Sequence, residues 1–112
     1  MNILIALNEN KNLESKLSEH FGHCTHFAIY NINSKNIQYI TNTIDHTNTN
    51  LTPVDQIMRY KPDMVFTLGI GQKAINLFKQ KNIILKTGNY KILKEVIDNI
   101  DKLKDITDSC EH

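Results

Sequence analysis

Cysteine is scarce in this chain: of 112 residues only Cys24 and Cys110 carry thiols. Two thiols are too few for a disulfide-stapled scaffold or for a cluster held by four thiolates of one chain, and both are expected reduced. An excess of one charge is missing as well, with 13 Lys+Arg against 12 Asp+Glu and a formal net charge of +1. A general electrostatic grip on nucleic acid or on an anionic membrane is therefore not expected. Long hydrophobic runs are absent. Ile3-Leu4-Ile5-Ala6-Leu7 falls far short of a membrane span and has no basic leader, so neither a transmembrane helix nor a signal peptide is expected, and the compartment reads as cytoplasm. The chain also lacks a Gly-x-Ser-x-Gly elbow, and Ile3 to Leu7 and Met64 to Leu68 carry no carboxylates. Those absences set aside serine hydrolysis and two-metal nuclease chemistry.

What is present points to one folded domain. Hydrophobic residues make up 40% and charged residues only 22%, while fourteen Asn keep the chain polar without strong repulsion. A domain of this size buries roughly two-thirds of its unfolded surface and needs no staples. Ile3 to Leu7, unalternated and β-rich, suits a central strand. Phe27 to Ile32 and Ile37 to Thr43, separated by Asn33-Ser34-Lys35-Asn36, read as a hairpin. Thr52-Pro53 caps a helix with Val54, Ile57 and Met58 on its apolar face, stopped by Lys61-Pro62. Met64 to Leu68 is a further strand, and Gly69-Ile70-Gly71 turns into a helix carrying Ala74, Ile75, Leu77 and Phe78. A short strand at Ile83 to Leu85 precedes a helix from Lys91 to Leu103. The expected fold is α/β with a ribonuclease H-like motif. Its sheet is five-stranded and mixed, ordered 3-2-1-4-5 with only the second strand antiparallel, and helices flank it. The domain is expected over residues 1–103, with residues 104–112 a flexible tail.

Ser18-Glu19-His20-Phe21-Gly22-His23-Cys24-Thr25-His26 concentrates three of five histidines and one cysteine within seven residues. Imidazole and thiolate bind zinc, copper or cluster iron; a polar loop whose side chains meet water explains the same composition. The spacing fits no standard zinc-finger pattern, and His26 belongs to the following strand. Gly69-Ile70-Gly71-Gln72-Lys73 is a second candidate, because a strand-to-helix turn offers backbone N–H groups to an anion; the structural need of a tight turn accounts for its glycines equally well. His46, in the polar loop after the hairpin, and Cys110 and His112, in the tail, are further candidate soft ligands.

With the opening strand, the string Ser18-Glu19-His20-Phe21-Gly22-x-Cys24 resembles the dinitrogenase iron–molybdenum cofactor biosynthesis family, the NifX/NifB-type cofactor-binding domain. The likeness continues through Asp63-Met64-Val65, Gly69-Ile70-Gly71, Ala74 and Asn82-Ile83. It implies a ribonuclease H-like fold and a non-catalytic role in binding, carrying or storing an iron–sulfur or iron–molybdenum–sulfur cluster, with nothing covalently attached. His20 and Cys24 match the ligands that the resemblance implies, with His23 beside them and His46 in a loosely matching loop. Gly69, Gly71, Gln72 and Lys73 would face the anionic cluster. His23 and Lys73 stand where the family has arginine, and Thr25 where it has proline, so fixed positive charge is reduced. Partners implied are cluster donor and acceptor proteins, with the chain a monomer or weak homodimer. Alternatives are a metal-free regulatory or interaction domain and a mononuclear zinc or copper protein using His20, His23 and Cys24.

Overall fold

The computed structural model describes residues 1–106. The order of elements is β1 (Asn2–Leu7), β2 (His26–Asn31), β3 (Ile37–Thr41), α1 (Pro53–Ile57), β4 (Met64–Phe66), α2 (Gln72–Gln80), β5 (Ile84–Thr87), α3 (Leu93–Asp98) and β6 (Lys104–Asp105). All six strands join one mixed sheet, β3-β2-β1-β4-β5-β6. β1 runs antiparallel to β2, from Asn2 opposite Asn31 to Leu7 opposite His26, and parallel to β4, with Ile3 opposite Met64.

β1 is central because both of its faces are buried, as its unbroken apolar run requires. Leu4 and Ala6 point into one layer with Val54 and Ile57 of α1 and Ile75 and Phe78 of α2. Ile3, Ile5 and Leu7 point into the opposite layer with Leu17 and with Leu93 and Val96 of α3. One two-residue period thus fills two cores. Phe27, Phe66 and Phe78 are fully buried, and truncating such a ring to Ala typically costs about 3–5 kcal/mol.

Local chemistry sets the element ends. The Thr52 hydroxyl accepts from the Asp55 amide at 3.1 Å while the Asp55 carboxylate accepts from the Thr52 amide at 3.0 Å, a reciprocal cap with Pro53 in the first turn. A 3₁₀ turn, Met58–Tyr60, follows α1 and ends at Lys61 in the left-handed region (φ 52) just before Pro62. The helix expected as continuous from Lys91 to Leu103 is shorter. It ends at Asn99, whose side chain donates to the Glu95 carbonyl at 2.8 Å, and resumes as a 3₁₀ turn at Ile100–Lys102. The side chain takes the carbonyl that the next helical turn would use.

The sheet has six strands, not five, and its second antiparallel strand is β6, paired with β5 through Lys86 opposite Asp105. Lys104 and Asp105, which the sequence placed in the tail, carry no apolar periodicity. What holds them is the backbone ladder, the Lys86–Asp105 ion pair and the following Ile106, buried in the α1/α2 core with its amide on the Leu85 carbonyl at 3.1 Å. Cys110 and His112 lie outside the described residues.

Candidate functional site

Because β1, β4 and β5 are parallel neighbours, the loops after all three emerge at one end of the sheet, the place where open α/β sheets gather ligands. A cavity of about 1150 Å³ opens there. His20, Gly22 and His23 line it from the loop before β2, Gly69, Gly71 and Gln72 from the turn before α2, Gly88 and Asn89 from the loop after β5, and Lys104 from β6. The two sequence motifs meet directly. The Gly69 carbonyl accepts from the Phe21 amide at 3.1 Å and from the buried Thr67 hydroxyl at 3.0 Å.

Phe21 is the anchor that turns the His20 loop outward. Its ring, 4% exposed, meets Phe78 edge-on at 5.4 Å and tilts against Phe27 at 5.6 Å. With Phe21 inside, its neighbours His20 and Gly22 are left at the cavity. The buried Ser18 fixes the approach, its hydroxyl accepting from the His20 amide at 3.1 Å and donating to the His20 carbonyl at 3.0 Å.

Cys24 takes the other direction. It is buried in the α1/α2 core and does not line the cavity. Burial pushes its thiol from the ordinary 9.0 up to about 11, outweighing hydrogen bonds from the backbone and Asn42 that act the other way. The expected thiolate ligand is therefore a protonated core thiol in this conformation: the apolar surroundings that make cysteine a good core residue disfavour its charged form.

His46 arrives from the loop after β3 and its Nε2 lies 2.9 Å from the Gly22 carbonyl. A carbonyl only accepts, so Nε2 carries the hydrogen of this contact. The His46 ring stacks on His23 with centroids 4.7 Å apart and planes 16° from parallel. Imidazole lone pairs lie in the ring plane, so two stacked rings do not converge on one ion. Among the described residues no group of three His, Cys, Asp or Glu side chains is gathered for a metal ion. Gly22 makes room for the stack, since a Cβ there would meet His46 Cε1 at 3.3 Å.

Of the expected site residues, His20, His23, His46, Gly69, Gly71 and Gln72 converge on the cavity, while Cys24 and Lys73 do not line it. Lys104 takes the place foreseen for Lys73, as a cation on the cavity wall. Sequence reasoning missed it, together with Gly88-Asn89; the signal available was a turn after the third parallel strand, equivalent to Gly69-Ile70-Gly71 after β4. Gly71 begins α2 with extended backbone (φ −77, ψ 159), and a Cβ there would meet nothing within 4 Å. The backbone at the start of α2 is thus open to whatever occupies the cavity. No helix among the described residues is long and apolar enough to cross a membrane.

The comparisons bear on the family and the fold. No curated protein matches the chain. The crystal structure of PH0822 is 27% identical, with a TM-score of 0.74 over 96% of this chain and 98% of that one. A Thermotoga protein of the DUF35 family, 22% identical, superposes with a TM-score of 0.81 over 99% of this chain and 97% of its own. The apo form of the orange protein from Desulfovibrio gigas, only 11% identical, shares the fold at a TM-score of 0.84, covering 98% of this chain and 96% of that chain. The family model for the dinitrogenase iron-molybdenum cofactor matches residues 1–103, and the chain accordingly belongs to that family.

Proposed function

We propose that this protein is a non-catalytic cytoplasmic protein that binds, carries or stores an iron–sulfur or iron–molybdenum–sulfur cluster, with donor and acceptor proteins as its partners. The sheet, in this reading, is a ribonuclease H-like platform without the carboxylates of a nuclease. The observation that carries the proposal is the shared cavity. His20 and the Gly69-Ile70-Gly71 turn, the two motifs with ligand chemistry, are tied by the Phe21–Gly69 hydrogen bond and open into one space. An anionic cluster suits that space. Imidazole offers a nitrogen donor to iron, the start of α2 presents the positive end of the helix dipole, and Lys104 adds a charge. Phe21, Val54, Leu68 and Ile70 give an apolar floor for a sulfide-covered body.

With Cys24 in the core, the protein contributes no thiolate from this loop. The cargo then keeps its own sulfides and is held by His20, with His23 and His46 at the wall and Gly69, Gly71 and Gln72 beneath. A pocket for a bare zinc or copper ion is less well supported, because the stacked His23 and His46 rings do not form a chelate.

The test is anaerobic reconstitution of the purified protein with iron and sulfide, with and without molybdate, followed by metal and sulfide analysis and a visible spectrum. Charge-transfer bands are expected in the wild type, and His20→Ala is expected to lose most of the bound iron and sulfide. Stoichiometric colourless zinc would favour the mononuclear reading. No metal in the wild type after reconstitution would favour a metal-free interaction domain.

A further inference from the structure

One side chain that bonds to both histidine-bearing loops belongs to neither motif. Asn42 follows β3 and is half-buried. Its Nδ2 donates to the Cys24 carbonyl at 2.7 Å and makes longer contacts with the Gly22 carbonyl at 3.4 Å and Cys24 Sγ at 3.7 Å. Its Oδ1 accepts from the Ile44 amide at 2.9 Å, and its own amide donates to the Thr25 carbonyl at 2.9 Å. The orientation of the carboxamide follows from chemistry. Flipped, it would set an oxygen against two carbonyls and an NH₂ against an N–H.

These bonds clamp two loops together. On one side is the Gly22–Cys24 turn, which carries His23; on the other is Asn42–His46, which returns to the same Gly22 carbonyl through His46 Nε2. The far end of the second loop is fixed to α1, because the Asp45 amide donates to Gln56 Oε1 at 2.8 Å and Gln56 Nε2 donates to the Asp45 carbonyl at 2.9 Å. Without the Asn42 donor, the Cys24 carbonyl loses its short side-chain partner and the Gly22 carbonyl keeps only His46. The Asn42–Thr25 backbone bond and the His46–Gly22 contact then hold the two loops less tightly on the side facing the cavity, where the His23–His46 stack forms part of the wall.

We propose that Asn42 is a positioning residue for the cavity. Its NH₂ group, acting through the Gly22 and Cys24 carbonyls, fixes the His23–His46 stack and the Nε2–H form of His46, so that the wall is preorganised before cargo arrives. The functional part rests on the reading of the cavity as the cluster site; the structural part stands apart from it. Asn42→Asp keeps the size of the side chain and the acceptor for the Ile44 amide while removing the NH₂ donor, and Asn42→Ala removes both.

The test is long-range ¹H–¹⁵N NMR of the histidine rings in the metal-free protein at about pH 8.5, where imidazole is ordinarily neutral, combined with iron and sulfide retention after anaerobic reconstitution. The wild type is expected to show His46 as the Nε2–H tautomer, with ring-current shifts between His23 and His46. In folded Asn42→Asp, that signature is expected to give way to mixed tautomers and the mutual ring-current shifts to shrink, with at least a several-fold fall in cluster retention. A folded Asn42→Asp that keeps both NMR signatures would overturn the positioning role, whatever its thermal stability. If Asn42→Asp fails to fold, Asn42→Ala, which introduces no charge, is read by the same spectra and the same criterion. Wild type that binds no cluster but shows an Asn42-dependent histidine signature would refute the carrier function and leave the clamp standing. Lost NMR signatures with unchanged cluster retention would refute the clamp's bearing on the site.

Discussion

Cys24 offers a direct test of how the site loop is packed. Its side chain is 4% exposed, and its thiol is raised from 9.0 to about 11, chiefly by desolvation. At pH 7 the thiolate fraction is then about 10⁻⁴ rather than about 10⁻², and since the thiolate is the nucleophile, alkylation slows about 100-fold from ionisation alone. Iodoacetamide labelling of the native protein, resolved by peptide mass so that Cys110 is scored separately, should show at least that retardation at Cys24, relieved by denaturant.

The same shift predicts a pH dependence of stability. The folded pKa lies above the unfolded one, so the folded state keeps a proton that the unfolded chain releases. The stabilisation is therefore fully present below about pH 9 and is lost as pH rises through about 11. At about 1.4 kcal/mol per unit, the wild type should lose up to about 2–3 kcal/mol across that window beyond what Cys24→Ala loses. At pH 8 Cys24→Ala should be the less stable protein, by about 1–2 kcal/mol for the vacated core volume. Urea unfolding of both proteins at pH 8 and 10.5 measures the difference: the gap should narrow at the higher pH. Native labelling as fast as in denaturant, or a gap unchanged between the two pH values, would refute the core placement and return Cys24 to the cavity as a thiolate ligand.

Gly71→Ala separates fold from function. Nothing lies within 4 Å of the added Cβ and the backbone there is ordinary extended. Thermal unfolding should therefore move by no more than about 1 kcal/mol, the less flexible unfolded chain opposing the poorer helix cap that Ala makes, while retention of iron and sulfide falls because the methyl occupies the cavity. Lys104→Gln should weaken cluster retention and flatten its dependence on salt, measured by iron content after washing at rising ionic strength; an unchanged salt dependence would remove Lys104 from the charge on the wall.

Several features were legible in the sequence because a short local pattern carried the physics. The unbroken apolar run of β1 placed it at the centre of the sheet. The short tetrad after Ile32 required an antiparallel hairpin, and Thr52-Pro53 marked the start of α1. Parallel β1 and β4 then forced the His20 loop and the Gly69-Ile70-Gly71 turn to one edge of the sheet, as the Phe21–Gly69 hydrogen bond shows. Local pattern misled where long-range contacts decided the outcome. β6 is too short to carry a period, and its place comes from pairing with β5 and the burial of Ile106. The long helix broke at Asn99 because a side-chain amide outcompeted the next turn.

The sequence by itself determined which residues could hold a cargo: it crowded His20, His23 and Cys24 into one short loop, and no folding step changes those donors. It had no means of assigning their directions, because an irregular loop has neither the 3.6-residue nor the two-residue period that tells inside from outside. Only tertiary packing decided that Phe21 and Cys24 go inward, where desolvation keeps the thiol protonated, and that His20, His23 and His46 line the cavity. The same packing brought Lys104 to the His20–His23 loop from more than eighty residues away in the chain, a placement set by the order of strands in the sheet and invisible to any local pattern.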